Sequence, residues 1–554
     1  MTFVTHLDPL DTPVRRKERG AFFTPPAITR FIAQWAIRTS QDRVLEPAAG
    51  DAEFLVSAVD RLRELTPGSA SRPKVDGIEI HAHSADVARK RVAEAGGEAT
   101  IELSDFFCVS PNPAFEVVIG NPPFIRYQDF VGEARARARE AAIRGGISLT
   151  GLASSWAAFT VHSASFLKQG GRLAFVLPAE LLSVNYAAPI RKFLFGRFRD
   201  VQLVLFDEQV FPDAEADVVL LLADGYLEGP ADFATIRQTK NAATLGNLGP
   251  GMSWTPTDPA DKWTSSLVNG DTLLLLRTLS TAGGFTELET WGDTTLGMVT
   301  GNNKYFALSP QRAAELGLRK EELLSLSPPG SSHLRGLTLS TAQLKKLGEE
   351  GHAVHLFCPK DPPSKAAQAY IADGHRTGVD TAYKCRVRKT WYRVPLLPPA
   401  DLLLTCMNAD TPRITENSAR ARHLNSVHGI YLNEAYLALG CELLPVASLN
   451  SVTLLHAEMV GRAYGGGILK IEPREADVWT LPSPTLVASR AGELRAIKAK
   501  IGRLLEKGQL LDAVEKVDEV LLVGAGVSQS ELQAMRTARM DLANRRNLRA
   551  ASGR

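Results

Sequence analysis

The sequence predicts an α/β protein: a doubly wound, mostly parallel sheet, followed by a mixed α+β domain and a helical tail. Three observations carry this. Between residues 43 and 223, short runs rich in Val, Ile, Leu and Phe alternate with helix-like stretches. The runs are apolar along their whole length, as strands covered on both faces must be. After about residue 245 the alternation gives way to short mixed segments punctuated by Pro and Gly, and from about residue 489 a helical period returns. The expected domains are therefore 1–245, 246–488 and 489–554, since 554 residues exceed a single compact core.

The expected strands are 44–45, 75–80, 115–119, 172–177, 201–206 and 218–222, with a further run before Ser104. Stretches 52–65 and 84–95 read as the helices between them. Alternation of this kind builds a parallel sheet, and ligands bind beyond the carboxyl ends of its strands. In the tail, Leu494, Ile497, Ile501, Leu504 and Leu505 fall at helical spacing. The final basic stretch, 536–554, has few apolar anchors and is expected to be partly disordered.

Composition narrows the function. Apolar residues make up 44% and charged residues 22% of the chain, an ordinary globular mix. No apolar run reaches the roughly 18 residues of a bilayer span, and no cationic start followed by an apolar stretch marks a secretory signal. No membrane partner is expected. The five cysteines, Cys108, Cys358, Cys385, Cys406 and Cys441, form no CxxC pair, so neither a zinc site nor a disulfide framework is expected. A reduced, cytoplasmic setting fits. The net charge of +2 means that any nucleic-acid surface must come from local clusters of basic residues.

Three acidic residues stand at successive strand ends. Glu46 opens the segment Glu46-Pro47-Ala48-Ala49-Gly50-Asp51, whose small residues let a ligand approach the backbone. A carboxylate there suits a cationic amino group. Glu79, followed by Ile80, can accept hydrogen bonds from both hydroxyls of a ribose. Asp105 beside Phe106 can accept from the amino group of an adenine while the ring covers its face. Each alone also reads as an ordinary strand-end residue; the series is harder to dismiss.

The most specific signal follows the run 115–119: Gly120, then Asn121-Pro122-Pro123-Phe124. The two prolines fix φ and remove two N–H donors. The Asn121 side-chain oxygen and the Pro122 carbonyl can then accept both protons of one amino group. A base NH₂ is a poor nucleophile because its lone pair is delocalised. Two acceptors in a tetrahedral arrangement direct that lone pair outward, and Phe124 would stack on the base.

This tetrapeptide resembles the amino-methyltransferase motif of the DNA N6-adenine and N4-cytosine enzymes. Gly20-Ala21-Phe22-Phe23-Thr24-Pro25-Pro26 is similar to the N-terminal cofactor motif of that family. The motif order resembles the gamma class, specifically the TaqI-like N6-adenine-specific DNA methyltransferases of restriction–modification systems. The resemblance is good over about residues 20–223 and weaker beyond. It implies S-adenosylmethionine (SAM) as cofactor, held by Thr24, Glu46, Pro47, Ala48, Gly50, Glu79, Ile80, Asp105, Phe106 and Pro123. It implies Asn121, Pro122 and Phe124 as catalytic residues. It further implies that Gln209-Val210-Phe211-Pro212-Asp213-Ala214 brings Phe211 to the other face of an extruded base, where the residues alone read as a core Phe before a turn. The chain departs from the family at Ala52, where a second glycine is common, and at Phe124, where Tyr is also common.

The resemblance implies that 246–488 is a DNA-recognition domain. Lys384, Arg386, Arg388, Lys389 and Arg393 surround Trp391 and Tyr392, as phosphate- and base-contacting surfaces do. The turn-rich segment from Gly297 to Phe306 and the run Tyr464-Gly465-Gly466-Gly467 belong to the same expected surface. Lys384, Arg386 and Arg388 are the named DNA-contact candidates, and no metal site is expected. The expected activity is site-specific transfer of a methyl group from SAM to the N6 of an adenine flipped from duplex DNA. Cytosine N4 is the alternative, and an RNA or protein-glutamine substrate ranks lower. The expected partner is double-stranded DNA, with either a separate restriction endonuclease or none beside it, for a monomer or weak dimer associated with the nucleoid. The chain starts close to the cofactor motif, so no attached nuclease is expected.

Overall fold

The computed structural model describes residues 24–208, 210–211, 218–256, 258–464 and 467–551, with side chains to Asn547 in the last helix. Gly20, Ala21, Phe22, Phe23, Gln209, Pro212, Asp213, Ala214, Gly465 and Gly466, named above, lie outside the described residues. The chain divides into two compact units, 1–267 with 551–554, and 268–550. The expected boundary at 245/246 falls inside the first unit, and most of the expected tail lies in the second.

The first unit is a nine-stranded sheet flanked by helices. In chain order its elements are α1 (Pro26–Ala36), β1 (Val44–Glu46), α2 (Glu53–Glu64), β2 (Lys74–Glu79), α3 (Ala82–Glu94), β3 (Glu98–Leu103), β4 (Phe115–Gly120), α4 (Gly132–Arg144), α5 (Ser155–Ala164), β5 (Leu167–Pro178), α6 (Ala188–Arg197), β6 (Phe198–Phe206), β7 (Val218–Tyr226), β8 (Ala234–Thr239) and β9 (Met252–Trp254). The spatial order is β3-β2-β1-β4-β5-β7-β6-β8-β9. Strands β3, β2, β1, β4 and β5 run parallel; β7 is antiparallel to both its neighbours, and β6 pairs with β8 in parallel. The sheet is mostly parallel, as the alternation predicts.

The central strands are buried on both faces. Val117, Val118 and Ile119 of β4 and Leu220, Leu221 and Leu222 of β7 are fully buried. Edge strand β3 is mostly exposed, with Glu98 and Glu102 to solvent, which is why its sequence carries little strand signal. Helix α1 covers the sheet with Ile28, Ile32, Ala33 and Ala36, spaced one turn apart. All ten residues of α5 are buried.

Ion pairs tie the strands near their amino ends. Arg172 donates to Asp42 at 3.0 Å and to the carbonyl of Ala36, with both side chains of the pair buried. Lys168 pairs with Glu116, and Arg43 with Asp76 at 3.5 Å.

The second unit contains a four-stranded antiparallel sheet in the order Gly292–Leu296, Val427–Leu432, Leu402–Thr405, Ile414–Glu416. Smaller sheets and helices surround it. Its helical end is ordered further than the sequence suggests. The helix Gln529–Ala551 buries Leu532, Met535 and Leu542, and Arg546 donates to Glu458 at 2.9 and 3.1 Å with both side chains almost fully buried. A basic residue thus serves as the anchor that the apolar pattern lacks. Among the described residues no single helix is long and apolar enough to cross a membrane.

Candidate active site

The acidic strand ends gather at the carboxyl edge of the sheet. Glu79 is 7% exposed and knits two loops together: one oxygen accepts from the Gly50 amide at 2.8 Å, the other from the His81 amide at 2.9 Å. The Ala49 amide donates to the Ile78 carbonyl at 2.9 Å. The loop after β1 is therefore laid against the end of β2. Gly50 takes φ +50°, and a Cβ there would meet nothing within 4 Å, so its backbone faces open space. Ala52 takes φ +64° at the start of α2 and is fully buried. A left-handed conformation at a non-glycine residue explains why glycine is common here in the family.

Glu46 is 3% exposed, and its Oε2 has no hydrogen-bond partner among the described residues. Burial, then the neighbouring carboxylates Asp51 and Glu79, hold its carboxyl well above the usual carboxylate range. A buried carboxylate oxygen without a partner is what a cationic ligand group would satisfy. Next to it Pro47 is buried and Ala48 half-buried. Ile80 leaves 58% of its surface exposed at the end of β2, an apolar face at the same edge. These residues fit SAM: an acid for its ammonium, an acid with lone pairs to spare for ribose hydroxyls, and an apolar side chain for adenine.

Asp105 is more committed than its sequence position implies. It caps a short turn by accepting from the Phe107 amide at 3.0 Å, and it accepts from Arg137 of α4 at 3.0 Å. Phe106 departs from expectation. Its ring is 3% exposed and packs among His162, Phe159 and Phe166, at centroid distances of 4.6, 5.1 and 5.4 Å. The aromatic side of α5 draws it into the core, away from an adenine face.

Asn121 follows β4 directly, and its side-chain amide donates to the Thr24 hydroxyl at 3.1 Å. Thr24 and the Asn121-Pro122-Pro123-Phe124 segment, far apart in sequence, therefore meet. Pro122 is buried; Pro123 and Phe124 are half-buried. Phe124 packs against the edge of the apolar core that contains Phe211. Phe211 itself is 5% exposed, in that core with Val218 and Leu220 of β7. The structure packs it in the core, as the residues alone suggest, where the family resemblance implies a contact to the other face of an extruded base.

Several contributors carry no sequence signal. Ser155, at the start of α5, bonds the loop on both sides of Phe124. Arg91 pairs with Asp51 at 3.2 Å and with Glu53 at 2.5 Å beside the first loop. Serine before a helix and arginine on one are too common to single out; only the folded chain shows what they touch.

In the second unit, two expected DNA-contact segments lie together. Gly301 takes φ +90°, and a Cβ there would meet Cys385 Sγ at 2.9 Å. Arg388 bridges the same two segments, donating to the carbonyls of Val299 at 2.6 Å and Trp391 at 3.2 Å. Its guanidinium is half-buried and bonds two backbone oxygens, so it braces the fold, unlike its exposed neighbours. Trp391 packs against the core near Tyr305, 5.5 Å between centroids. Lys384, Arg386 and Lys389 remain exposed around the exposed Tyr383 and Val387. Tyr464 is 58% exposed, with Lys470 over its ring at 5.6 Å. Among the described residues no group of His, Cys, Asp and Glu is placed to hold a metal ion.

Comparison with known proteins bears on the family and the fold. Residues 11–225 match the family model described as N-6 DNA Methylase, and residues 260–522 that of the Type II methyltransferase M.Eco57I, C-terminal domain. The Type II methyltransferase M.AccI of Acinetobacter calcoaceticus is 21% identical over 91% of this chain and 93% of its own. M.XamI of Xanthomonas campestris pv. amaranthicola, also a Type II methyltransferase, is 26% identical over 85% and 86%. The fold resembles that of the Type IIL restriction-modification enzyme MmeI in complex with DNA, with a TM-score of 0.55 and 12% identity over 96% of this chain and 76% of that one. Together these matches make the chain a DNA methyltransferase, similar to the N6-adenine enzymes of restriction–modification systems.

Proposed function

We propose that the enzyme methylates the exocyclic N6 of one adenine in a specific duplex sequence, after extruding that base. The observation that carries this is Asn121-Pro122-Pro123-Phe124 at the carboxyl end of β4, with Asn121 held by Thr24, at the same sheet edge as Glu46 and Glu79. SAM supplies, when bound, a methyl group on a cationic sulfur. Glu46 would receive its ammonium and Glu79 its ribose hydroxyls. Asp105 keeps lone pairs for an adenine amino group beside its bond to Arg137.

On the base, Asn121 and the Pro122 carbonyl accept the two amino protons and so turn the nitrogen lone pair outward. Phe124 offers a π-face worth about 1–3 kcal/mol of stacking. This offsets part of the few kcal/mol that extrusion costs. Catalysis then rests on orientation and on polarising the amino group. Lys384 and Arg386 are the cations we assign to DNA phosphates. Because M.AccI and M.XamI are named Type II methyltransferases, a separate endonuclease reading the same sequence is the partner this assignment implies.

The test is incubation with SAM and DNA of mixed sequence, followed by nucleoside mass spectrometry. N6-methyladenine is the expected product. N4-methylcytosine, or methylation of RNA or protein alone, overturns the assignment.

A further inference from the structure

The loop that carries Asn121 and Phe124 is gripped by one buried serine. Ser155 opens α5 and is 1% exposed. Its hydroxyl donates to the Pro123 carbonyl and accepts from the Ile125 amide at 2.9 Å. Its own amide donates to the Ile125 carbonyl at 3.1 Å. A serine hydroxyl has one proton to give and lone pairs to receive, so both roles are used at once.

The two groups held by that hydroxyl belong to the peptide planes on either side of Phe124. The Pro123 carbonyl lies in the plane before it and the Ile125 amide in the plane after it. Peptide units are rigid, so holding both planes restricts φ and ψ of Phe124 together. The effect extends one residue back. The ring of Pro123 already locks its φ, so holding its carbonyl also sets its ψ and hence the direction of the Pro122 peptide. Ser155 is a firm base for this. All of α5 is buried, and its neighbours Ser154 and Trp156 both bond the Tyr186 hydroxyl, at 3.0 and 3.1 Å.

We infer that Ser155 is a positioning residue for base capture. It sets the pose of the Phe124 ring and the Pro122 carbonyl without touching base or cofactor. The inference rests on the reading that these two groups hold the target adenine.

Full-length S155A and S155T test it in two arms. In the first, without ligands, hydrogen exchange is followed at the Ile125 amide. S155A should exchange about tenfold faster there than wild type, with the β-strands unchanged, and S155T should return toward wild type. In the second, single-turnover methylation is measured at saturating SAM and DNA. S155A should be slower by roughly 10–100-fold, because sub-ångström misplacement is costly. Its SAM dissociation constant should stay within about twofold, and S155T should recover much of the rate. Unchanged exchange at Ile125, an unchanged rate in S155A, or SAM affinity falling in step with the rate overturns the inference. So does an S155T protein that melts like wild type yet is as slow as S155A. A wild type that methylates no DNA base refutes the functional reading instead, and the exchange arm still decides whether the hydroxyl holds the loop.

Discussion

The side-chain amide of Asn121 donates to the hydroxyl of Thr24 at 3.1 Å, across 97 positions of sequence. Thr24 is 7% exposed and stands just before α1. With its nitrogen turned to Thr24, Asn121 has its oxygen directed to the opposite side of the amide. If Asn121 holds the target base as proposed, Thr24 would act on the chemistry by fixing which edge of Asn121 is an acceptor.

Replacing Asn121 by Ala should slow methylation by at least about 100-fold, the scale of losing one transition-state contact. SAM affinity should remain largely intact, since the amide is assigned to the base. Thr24→Val should slow turnover at saturating SAM by several-fold, as expected for a hydrogen bond with a net worth of about 0.5–1.5 kcal/mol. Single-turnover rates and calorimetry on both variants check this. A loss of SAM affinity in N121A comparable to the loss of rate would move Asn121 to the cofactor.

Glu46 predicts a pH dependence with a definite sign. Its carboxyl is raised by burial first and by Asp51 and Glu79 next. In the ligand-free protein its contribution to stability is therefore full below the ordinary carboxylate range. It is lost as pH rises through the raised value, where burial resists ionisation. SAM affinity should run the other way, because a cation favours the ionised acid. It should strengthen with pH until Glu46 is ionised and then level off, with a proton released on binding at the low end. Glu46→Gln should flatten both curves and weaken SAM binding. Denaturation and calorimetry across pH test it; a wild-type curve already flat would remove Glu46 from the cation site.

The basic segment of the second unit separates into two kinds of cation. Charge reversal at Lys384 and Arg386 should flatten the salt dependence of DNA binding, by about 0.9 in log–log slope for each phosphate no longer neutralised. The thermal midpoint should barely move. Arg388→Ala should do the opposite, lowering the midpoint by removing bonds to Val299 and Trp391. Equal effects of the two changes on the slope would return Arg388 to the DNA surface.

Ala52→Gly relieves a left-handed backbone that costs a residue with a Cβ roughly 1–2 kcal/mol. It also makes the unfolded chain freer, which costs about 0.5–1 kcal/mol. The variant should be as stable as the parent or slightly more so, and should bind SAM as well. A drop in stability beyond about 1 kcal/mol would show that packing of the Ala52 methyl outweighs the strain.

Much of the first unit is legible in the sequence because its strands are buried on both faces, and residues such as Val117 and Leu220 can only be read as core. Strand β3, half in solvent, leaves a much weaker trace. Glu46, Glu79 and Asn121 stand out as a series of polar residues at the ends of successive apolar runs, although an acidic strand end alone also reads as an ordinary one. Phe106 and Arg388 are not legible in this way, because a ring serves a core as well as a base and a guanidinium serves a carbonyl as well as a phosphate; for Phe211 the residues alone read as core and only the family resemblance as a base contact. Which it does depends on the neighbours that folding supplies, here His162, the core beside β7, and Val299. Ser155 is illegible for the same reason: its value lies in being opposite Pro123 and Ile125.

The ion pairs near the amino ends of the strands contrast with the carboxylates at the other end. Arg172 and Asp42, Lys168 and Glu116 neutralise each other, whereas Glu46 is buried beside Asp51 and Glu79. The two ends of one sheet thus answer to different physical demands. Changes near the amino ends are free to be judged on folding alone, so a search for thermostable variants should find most of its gains there. Near the carboxyl ends, a neutral residue in place of Glu46 is expected to make a sturdier protein and a poorer enzyme. The discomfort of that one acid without its ligand is where stability and activity part company.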